Sequence, residues 1–325
     1  MRVVFFFVHG GYADSFLRGA HEYLVPTPPG EAPADLAAWP SARAVPVDRV
    51  REEDADVVVL QRLEEIRMLR EAGLEPGADI PAVFLEHNTP KPRAVDSRHP
   101  LADQRAIPIV HVTHFNELYW DSGRARTFVV EHGIPDPGPL YRGGEERIAA
   151  VINEPARRGR VTGTDLLRVF ARVAPVDVFG ISADAVTSRS GHGIHAAGDL
   201  SPGRLHGELA RRRVYLHPYR WTSLGLSLLE AMTIAMPVIA VAGTEAVRAI
   251  PPGAGIVSTE LAELVRGARA FLADPDMAME AGRRARAHAL EHYGLERFLS
   301  RWDDVLAEVS GAARTGSRQT EGSGR

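Results

Sequence analysis

The segment Tyr215 to Val241, YLHPYRWTSLGLSLLEAMTIAMPVIAV, constrains the chain more than any other. A short apolar strand, a loop, a helix opening at Ser223-Leu224-Gly225 and a second apolar strand follow in close order, which is one α/β repeat. The start of such a helix presents backbone N–H groups without intrahelical partners and a partial positive charge of roughly half an elementary unit, and it suits a phosphate. Glu230 is expected about two turns into the same helix. There its carboxylate is placed to accept hydrogen bonds from hydroxyl groups next to a phosphate.

Phosphate at the helix mouth and carboxylate on the helix wall describe a nucleotide-sugar pocket, and the residues resemble a known signature. Leu224, Gly225, Leu226, Leu228, Leu229, Glu230, Ala231, Met232, Pro237, Val238 and Ile239 are similar to the donor-binding segment of glycosyltransferase family 4, the retaining group 1 glycosyl transferases of GT-B fold. Downstream, Thr244-Glu245-Ala246-Val247, Gly253-Ala254-Gly255-Ile256-Val257 and Leu272-Ala273-Asp274-Pro275 continue the likeness, which is specific over 215–293 and weaker before it. The resemblance implies that Glu230 holds the ribose, with Ser223, Leu224 and Gly225 at the donor. The family signature has a second glutamate before this one; here Thr222 stands at that place and supplies a hydroxyl without charge.

Composition fits this class. The chain has 325 residues, 45% hydrophobic and 25% charged, which favours about two domains. A net charge of −4 gives no broad attraction to nucleic acid, so none is expected as a partner. The absence of cysteine excludes disulfides, thiolate metal sites and a thiol nucleophile. The opening MRVVFFFVHGG reads as a buried first strand and glycine turn rather than a signal peptide, its apolar run being too short. No stretch approaches the roughly 18 apolar residues that span a bilayer. A cytoplasmic protein is expected, and peripheral membrane contact stays open because the family includes members that act on lipid-linked acceptors.

Short strands are expected at Val3 to Val8, Val57 to Leu60, Ala82 to Leu85, Ile109 to Val112 and Phe128 to Val130, with an irregular Pro-rich insertion from Pro26 to Pro46. The turn-rich stretch from Gly133 to Gly144 marks a boundary. A second unit has strands at Arg147 to Ile152, Val176 to Phe179, Val214 to Leu216, Val238 to Val241 and Gly255 to Val257, then helices at Thr259 to Leu272, Asp276 to His292 and Leu295 to Val309. The expected architecture is α/β, two doubly wound Rossmann-like domains facing across a cleft. Residues 1–140 form the acceptor-side domain, 145–293 the nucleotide-sugar domain, 294–310 a helix crossing back to the first domain, and 311–325 a disordered tail.

Other site residues follow from strand ends, where α/β sheets place ligands. Gly10 and Gly11 after the first strand leave room for donor phosphates or acceptor. In Glu86-His87-Asn88-Thr89-Pro90, His87 matches a family histidine near the transferred sugar, so His87 and Asn88 are expected on the acceptor side. His111 and His114 in HVTHFNELYWDSG are spaced for a metal only in number; a strand sends them to different faces, so no metal is expected and His114 with Asn116 lines the acceptor. Arg157-Arg158-Gly159-Arg160 precedes Thr162-Gly163-Thr164-Asp165-Leu166-Leu167, which resembles the family's diphosphate-binding loop with Thr162 at the usual lysine position. Arg157, Arg158 and Arg160 are expected on the diphosphate, with Arg220 adding charge. His192 and His195 occupy a loop whose family counterpart approaches the base.

The resemblance thus implies transfer of a sugar from a nucleoside diphosphate sugar to a small-molecule, glycan or lipid-linked acceptor, with retention, no cofactor and no catalytic metal. Arg157, Arg160, Thr222, Glu230 and His87 carry the reaction. Two other readings compete: a nucleotide-sugar-binding protein without transfer activity, given Thr222 and Thr162, and a nucleotide-sugar epimerase or hydrolase on the same fold.

Overall fold

The computed structural model describes residues 1–186 and 193–320, with side chains through residue 311. The chain divides into two units, Met1–Gly133 with the chain from Leu295, and Ile134–Gly294.

Unit 1 is built on seven strands: β1 (Arg2–Phe5), β2 (Glu22–Thr27), β3 (Ala42–Pro46), β4 (Val57–Leu60), β5 (Ala82–Glu86), β6 (Ile109–His111) and β7 (Thr127–Val129). Their order is β3-β2-β1-β4-β5-β6-β7, every neighbour parallel. β4 shows why its sequence is apolar throughout: Val57 and Val59 enter one core layer and Val58 and Leu60 the other. The helix Leu295–Thr320 closes one layer, burying Phe298, Trp302, Val305, Leu306 and Val309 against Val3, Phe5, Phe16 and Val83. That spacing is a single helical stripe. Trp302 Nε1 donates to the Tyr12 hydroxyl at 2.9 Å and fixes the helix on unit 1.

Two expectations change here. The Pro-rich insertion is not irregular throughout, because it holds the end of β2 and all of β3. Its prolines are tolerated by position: β1 pairs with β2 only at Glu22, Tyr23 and Leu24, so Pro26 lies beyond that ladder, and β3 is an edge strand that ends at Pro46. The last helix, expected to stop near 310, continues to Thr320. Residues 321–325 of the expected tail lie outside the described residues.

Unit 2 has six parallel strands, β8 (Glu145–Val151), β9 (Val176–Phe179), β10 (Ile194–Gly198), β11 (Arg212–His217), β12 (Val238–Val241) and β13 (Gly255–Ser258), in the order β10-β9-β8-β11-β12-β13. Edge strand β10 was not foreseen: in IHAAG only Ile194 is buried, so it lacks the apolar run that marked the others. The helix Leu226–Thr233 buries Leu228, Leu229 and Met232 with Tyr215 and Val238, while Val214, Leu216 and Ile239 face the opposite layer. No described helix is long and apolar enough to cross a membrane.

In both sheets the chain first winds one way and then the other. The reversal lies between β1 and β4 in unit 1 and between β8 and β11 in unit 2. At such a reversal successive connections pass to opposite faces of the sheet, and the crevice at the carboxyl ends is where α/β sheets bind ligands.

Candidate functional site

In unit 2 the crevice is framed by the loops after β8 and β11, and these hold most of the expected donor residues. The two loops are joined. Arg220 N donates to the Val161 carbonyl at 2.9 Å, Arg220 Nη1 donates to the Arg160 carbonyl at 2.8 Å, and the Arg220 guanidinium grips Asp165 at 2.7 and 3.0 Å. Arg160 Nη1 reaches the same carboxylate at 3.0 Å. The Arg220 hydrogen bond holds the Asp165 carboxyl below its usual range. Gly163 makes the close approach feasible: its φ is +69° and a Cβ would overlap the Pro218 carbonyl. Arg158 lies 5.9 Å from the Tyr219 ring centroid, and exposed Arg157 donates through Nε to Glu154 at 2.7 Å. The structure therefore brings Arg160 and Arg220 together on Asp165 as their common counter-charge, with Arg158 on the neighbouring Tyr219 ring.

Thr162 does not join them. Its side chain is buried, with Oγ1 3.2 Å from the Gly159 carbonyl and 3.1 Å from Thr164 Oγ1, so it shapes the loop from within.

The helix mouth sits slightly later than the sequence implied. Gly225 is the N-cap, with no side-chain cap bond, and the helix begins at Leu226. Glu230 is its fifth residue, hence just over one turn in rather than two. Ser223 and Leu224 are buried, and Leu224 belongs to the core, so that stretch offers backbone rather than side chains. His217 backs the mouth: a Cβ on Gly225 would stand 2.9 Å from its Cε1, and burial pushes the His217 ring down to about 3. Thr222 Oγ1 is buried without a hydrogen-bond partner, a state that a ligand hydroxyl would relieve. Beside Glu230, whose side chain is 20% exposed, lies His206 at 3.9 Å, from a helix the sequence reading passed over.

In unit 1 the reversal crevice is framed by the loops after β1 and β4. Gly10 and Gly11 are the first residues of the helix Gly10–Phe16, not a separate turn, and a Cβ on Gly10 would meet nothing within 4 Å. His87, following β5, meets the His9 and Tyr12 rings at 4.5 and 4.8 Å, and its Nε2 is 2.8 Å from Gln61 Oε1. Tyr12 in turn meets His132 at 5.7 Å. Burial, with neighbouring His9 and His132, holds His87 well below the usual histidine range. Sequence reasoning found His87 but not Gln61 or His132; Gln61 was legible as the residue directly after the VVVL strand.

The other acceptor-side residues are dispersed. Asn88 is exposed and its amide is held by Glu86 Oε1 at 2.6 Å. His114 is exposed, whereas Asn116 on the same short helix is fully buried and neither of its side-chain polar atoms has a partner. His111 is buried in β6, 3.3 Å from Ser122 Oγ. Among the described residues no group of three or more His, Asp or Glu stands together to hold a metal ion. His195 lies exposed on β10, and His192 lies outside the described residues.

The family described as Glycosyl transferases group 1 matches residues 188–288. The chain has the GT-B fold, and that one segment is similar to the group 1 glycosyl transferases. That segment contains Arg220, Thr222, Glu230 and His206, while the arginines of 157–160 and all of unit 1 lie outside it. No curated protein matches the chain by sequence. Solved structures similar to it include a sucrose-phosphate synthase from Thermosynechococcus elongatus, 13% identical, covering 96% of this chain and 100% of that one at a TM-score of 0.73. Anabaena Alr3699/HepE in complex with UDP and glucose is 14% identical over 94% of this chain and 99% of its own, at 0.70. A glycosyltransferase from Rickettsia africae ESF-5 is 12% identical over 95% and 98%, at 0.69. At such identities these likenesses establish the shared GT-B fold.

Proposed function

We propose that the chain transfers a sugar from a nucleoside diphosphate sugar to a hydroxyl acceptor, with retention and without a catalytic metal. The observation that carries this reading is the helix Leu226–Thr233, uncapped by any side chain at Gly225 and bearing Glu230 in its second turn, at the reversal between β8 and β11. A helix start takes phosphate, and a half-buried carboxylate one turn along takes ribose hydroxyls. The neighbours with UDP and UDP-glucose in their structures support a donor of this class.

Each residue then has a task. Arg157, Arg158, Arg160 and Arg220 face the charge that gathers on the diphosphate as the glycosidic bond breaks, and guanidinium groups meet it without losing a proton. Asp165 holds two of them in place until the diphosphate competes for them. Thr222 Oγ1 bonds a sugar hydroxyl, and Glu230 the ribose. Unit 1 supplies the acceptor side: His87 orients a hydroxyl, and in a retaining transfer the leaving phosphate itself takes the acceptor proton, so placement rather than a strong base is what the protein provides.

A calorimetric and thermal-shift screen against UDP, GDP, ADP and dTDP sugars, with and without EDTA, tests this. Selective stabilisation that survives EDTA supports the donor site and its independence of metal. No response to any nucleotide sinks the reading. Product anomer analysis by NMR then decides retention.

A further inference from the structure

The crevice edge of unit 1 holds an amide between a main-chain carbonyl and an imidazole. Gln61, directly after β4, donates through Nε2 to the Phe6 carbonyl at 2.5 Å, and its Oε1 lies 2.8 Å from His87 Nε2. Gln61 is buried, and its own N–H donates to Glu65 Oε2 at 2.6 Å, which anchors it from the main-chain side.

A main-chain carbonyl can only accept, so Phe6 decides which end of the amide is nitrogen. Turned over, the amide would set two oxygens against each other at hydrogen-bonding distance. With its oxygen therefore directed at His87, the hydrogen of that second contact has to come from the ring. We propose that Gln61 is a positioning residue that holds His87 in the tautomer carrying its hydrogen on Nε2, which makes Nδ1 the accepting side of the ring.

The surroundings agree. The His9 and Tyr12 rings stand edge-on to His87, and burial keeps the imidazole neutral at pH 7. Only a neutral imidazole has a tautomer to choose. The consequence for substrate class rests on reading unit 1 as the acceptor side: a group that bonds Nδ1 has to bring a hydrogen, as an alcohol or sugar hydroxyl does and an ionised phosphate oxygen does not. The same crevice position in unit 2 offers charge to an anion; here it holds a neutral ring.

Nitrogen-15 NMR of the full chain with labelled histidine, free of nucleotide, reads which ring nitrogen carries the hydrogen, with the His87 signals assigned by their loss in His87→Phe. The unaltered chain at neutral pH is expected to show His87 with hydrogen on Nε2, and Gln61→Leu is expected to lose that preference for a mixed population. Gln61→Met keeps the side-chain length and removes the amide, and it replaces Gln61→Leu if that variant fails to fold. A purely structural role for Gln61 lowers stability without moving the tautomer. His87 carrying its hydrogen on Nδ1 in the unaltered chain, or keeping Nε2–H in a folded Gln61 variant, overturns the proposal. Since no nucleotide is present, either result is independent of donor binding, which the calorimetric screen decides.

Discussion

The two sheets reverse their winding in the same way and place loops at the same carboxyl edge, yet the chemistry at the two edges is opposite. Unit 2 gathers Arg160 and Arg220 around Asp165, with Arg158 over Tyr219 and Glu230 on the Leu226–Thr233 helix. Unit 1 gathers His9, Tyr12, Gln61, His87 and His132, whose imidazoles and aromatic rings pack on one another. Topology thus sets where a ligand goes, and the loop residues set which ligand. A charged edge suits a diphosphate leaving group; a neutral, hydrogen-bonding edge suits a hydroxylated acceptor that must be oriented without being ionised.

The largest effect expected from breaking this contrast is at Glu230. Glu230→Ala removes the only carboxylate on the Leu226–Thr233 helix, and losing hydrogen bonds to a charged group costs on the order of 1.5 to 3 kcal/mol. Nucleotide affinity measured by calorimetry is expected to fall roughly tenfold to a hundredfold. Unchanged affinity would remove the ribose from this helix altogether.

Next comes a test that compares the units through stability. Each sheet buries one histidine at a strand's carboxyl end, His111 in unit 1 and His217 in unit 2, and burial pushes both down to about 3. Between the ordinary histidine value of 6.5 and about 3, the unfolded chain therefore binds protons that the folded chain does not. Stability is full above pH 6.5 and falls as pH drops through that window, by on the order of 1 kcal/mol per pH unit for each histidine. His217→Phe keeps a ring stacked on Tyr219 and is expected to flatten the slope of the urea midpoint against pH. An unaltered slope would mean that His217 protonates freely in the folded chain.

A smaller effect is expected at the arginine loop. Arg157 is exposed, and exposed ion contacts in water contribute little. Arg157→Ala should weaken diphosphate binding about threefold to fivefold at low salt and less at high salt. A loss as large as that at Glu230, insensitive to salt, would show that the loop closes over the ligand.

What the sequence revealed depended on whether its signal was local. The βαβ segment from Tyr215 to Val241 was legible because strand, loop and helix are neighbours in the chain, and the expected strand Val238 to Val241 matches β12. The helix start was read a little early: Ser223 and Leu224 are both buried ahead of the helix, and Leu224 belongs to the core. Strand β3 was hidden by the prolines around it and by its own Pro46, which becomes acceptable only through its place at the sheet edge, a fact of tertiary structure. The same holds within the site. Arg157 to Arg160 were visible as a charge run, but the tie of Arg160 to Arg220 runs through Asp165, which lies 55 positions from Arg220. His206 and Glu230, on two different helices, and Gln61 and His87, after two different strands, are likewise partners brought together only by the fold.

The smallest expected effect is also the sharpest test of the contrast between the edges. If the nucleotide is bound by unit 2 residues alone, as its helix mouth, Glu230 and the arginines imply, then His87 takes no part in holding it. His87→Ala should leave UDP affinity within about twofold of the unaltered chain, below the tenfold step that 1.4 kcal/mol represents. Sugar transfer from the intact donor should nevertheless fall steeply, since the ring that orients the acceptor hydroxyl is gone. A loss of UDP affinity comparable to that of Glu230→Ala would instead place the diphosphate against unit 1. In that case the neutral edge would have to be read as a donor subsite, and the division of labour between the two sheets would be wrong.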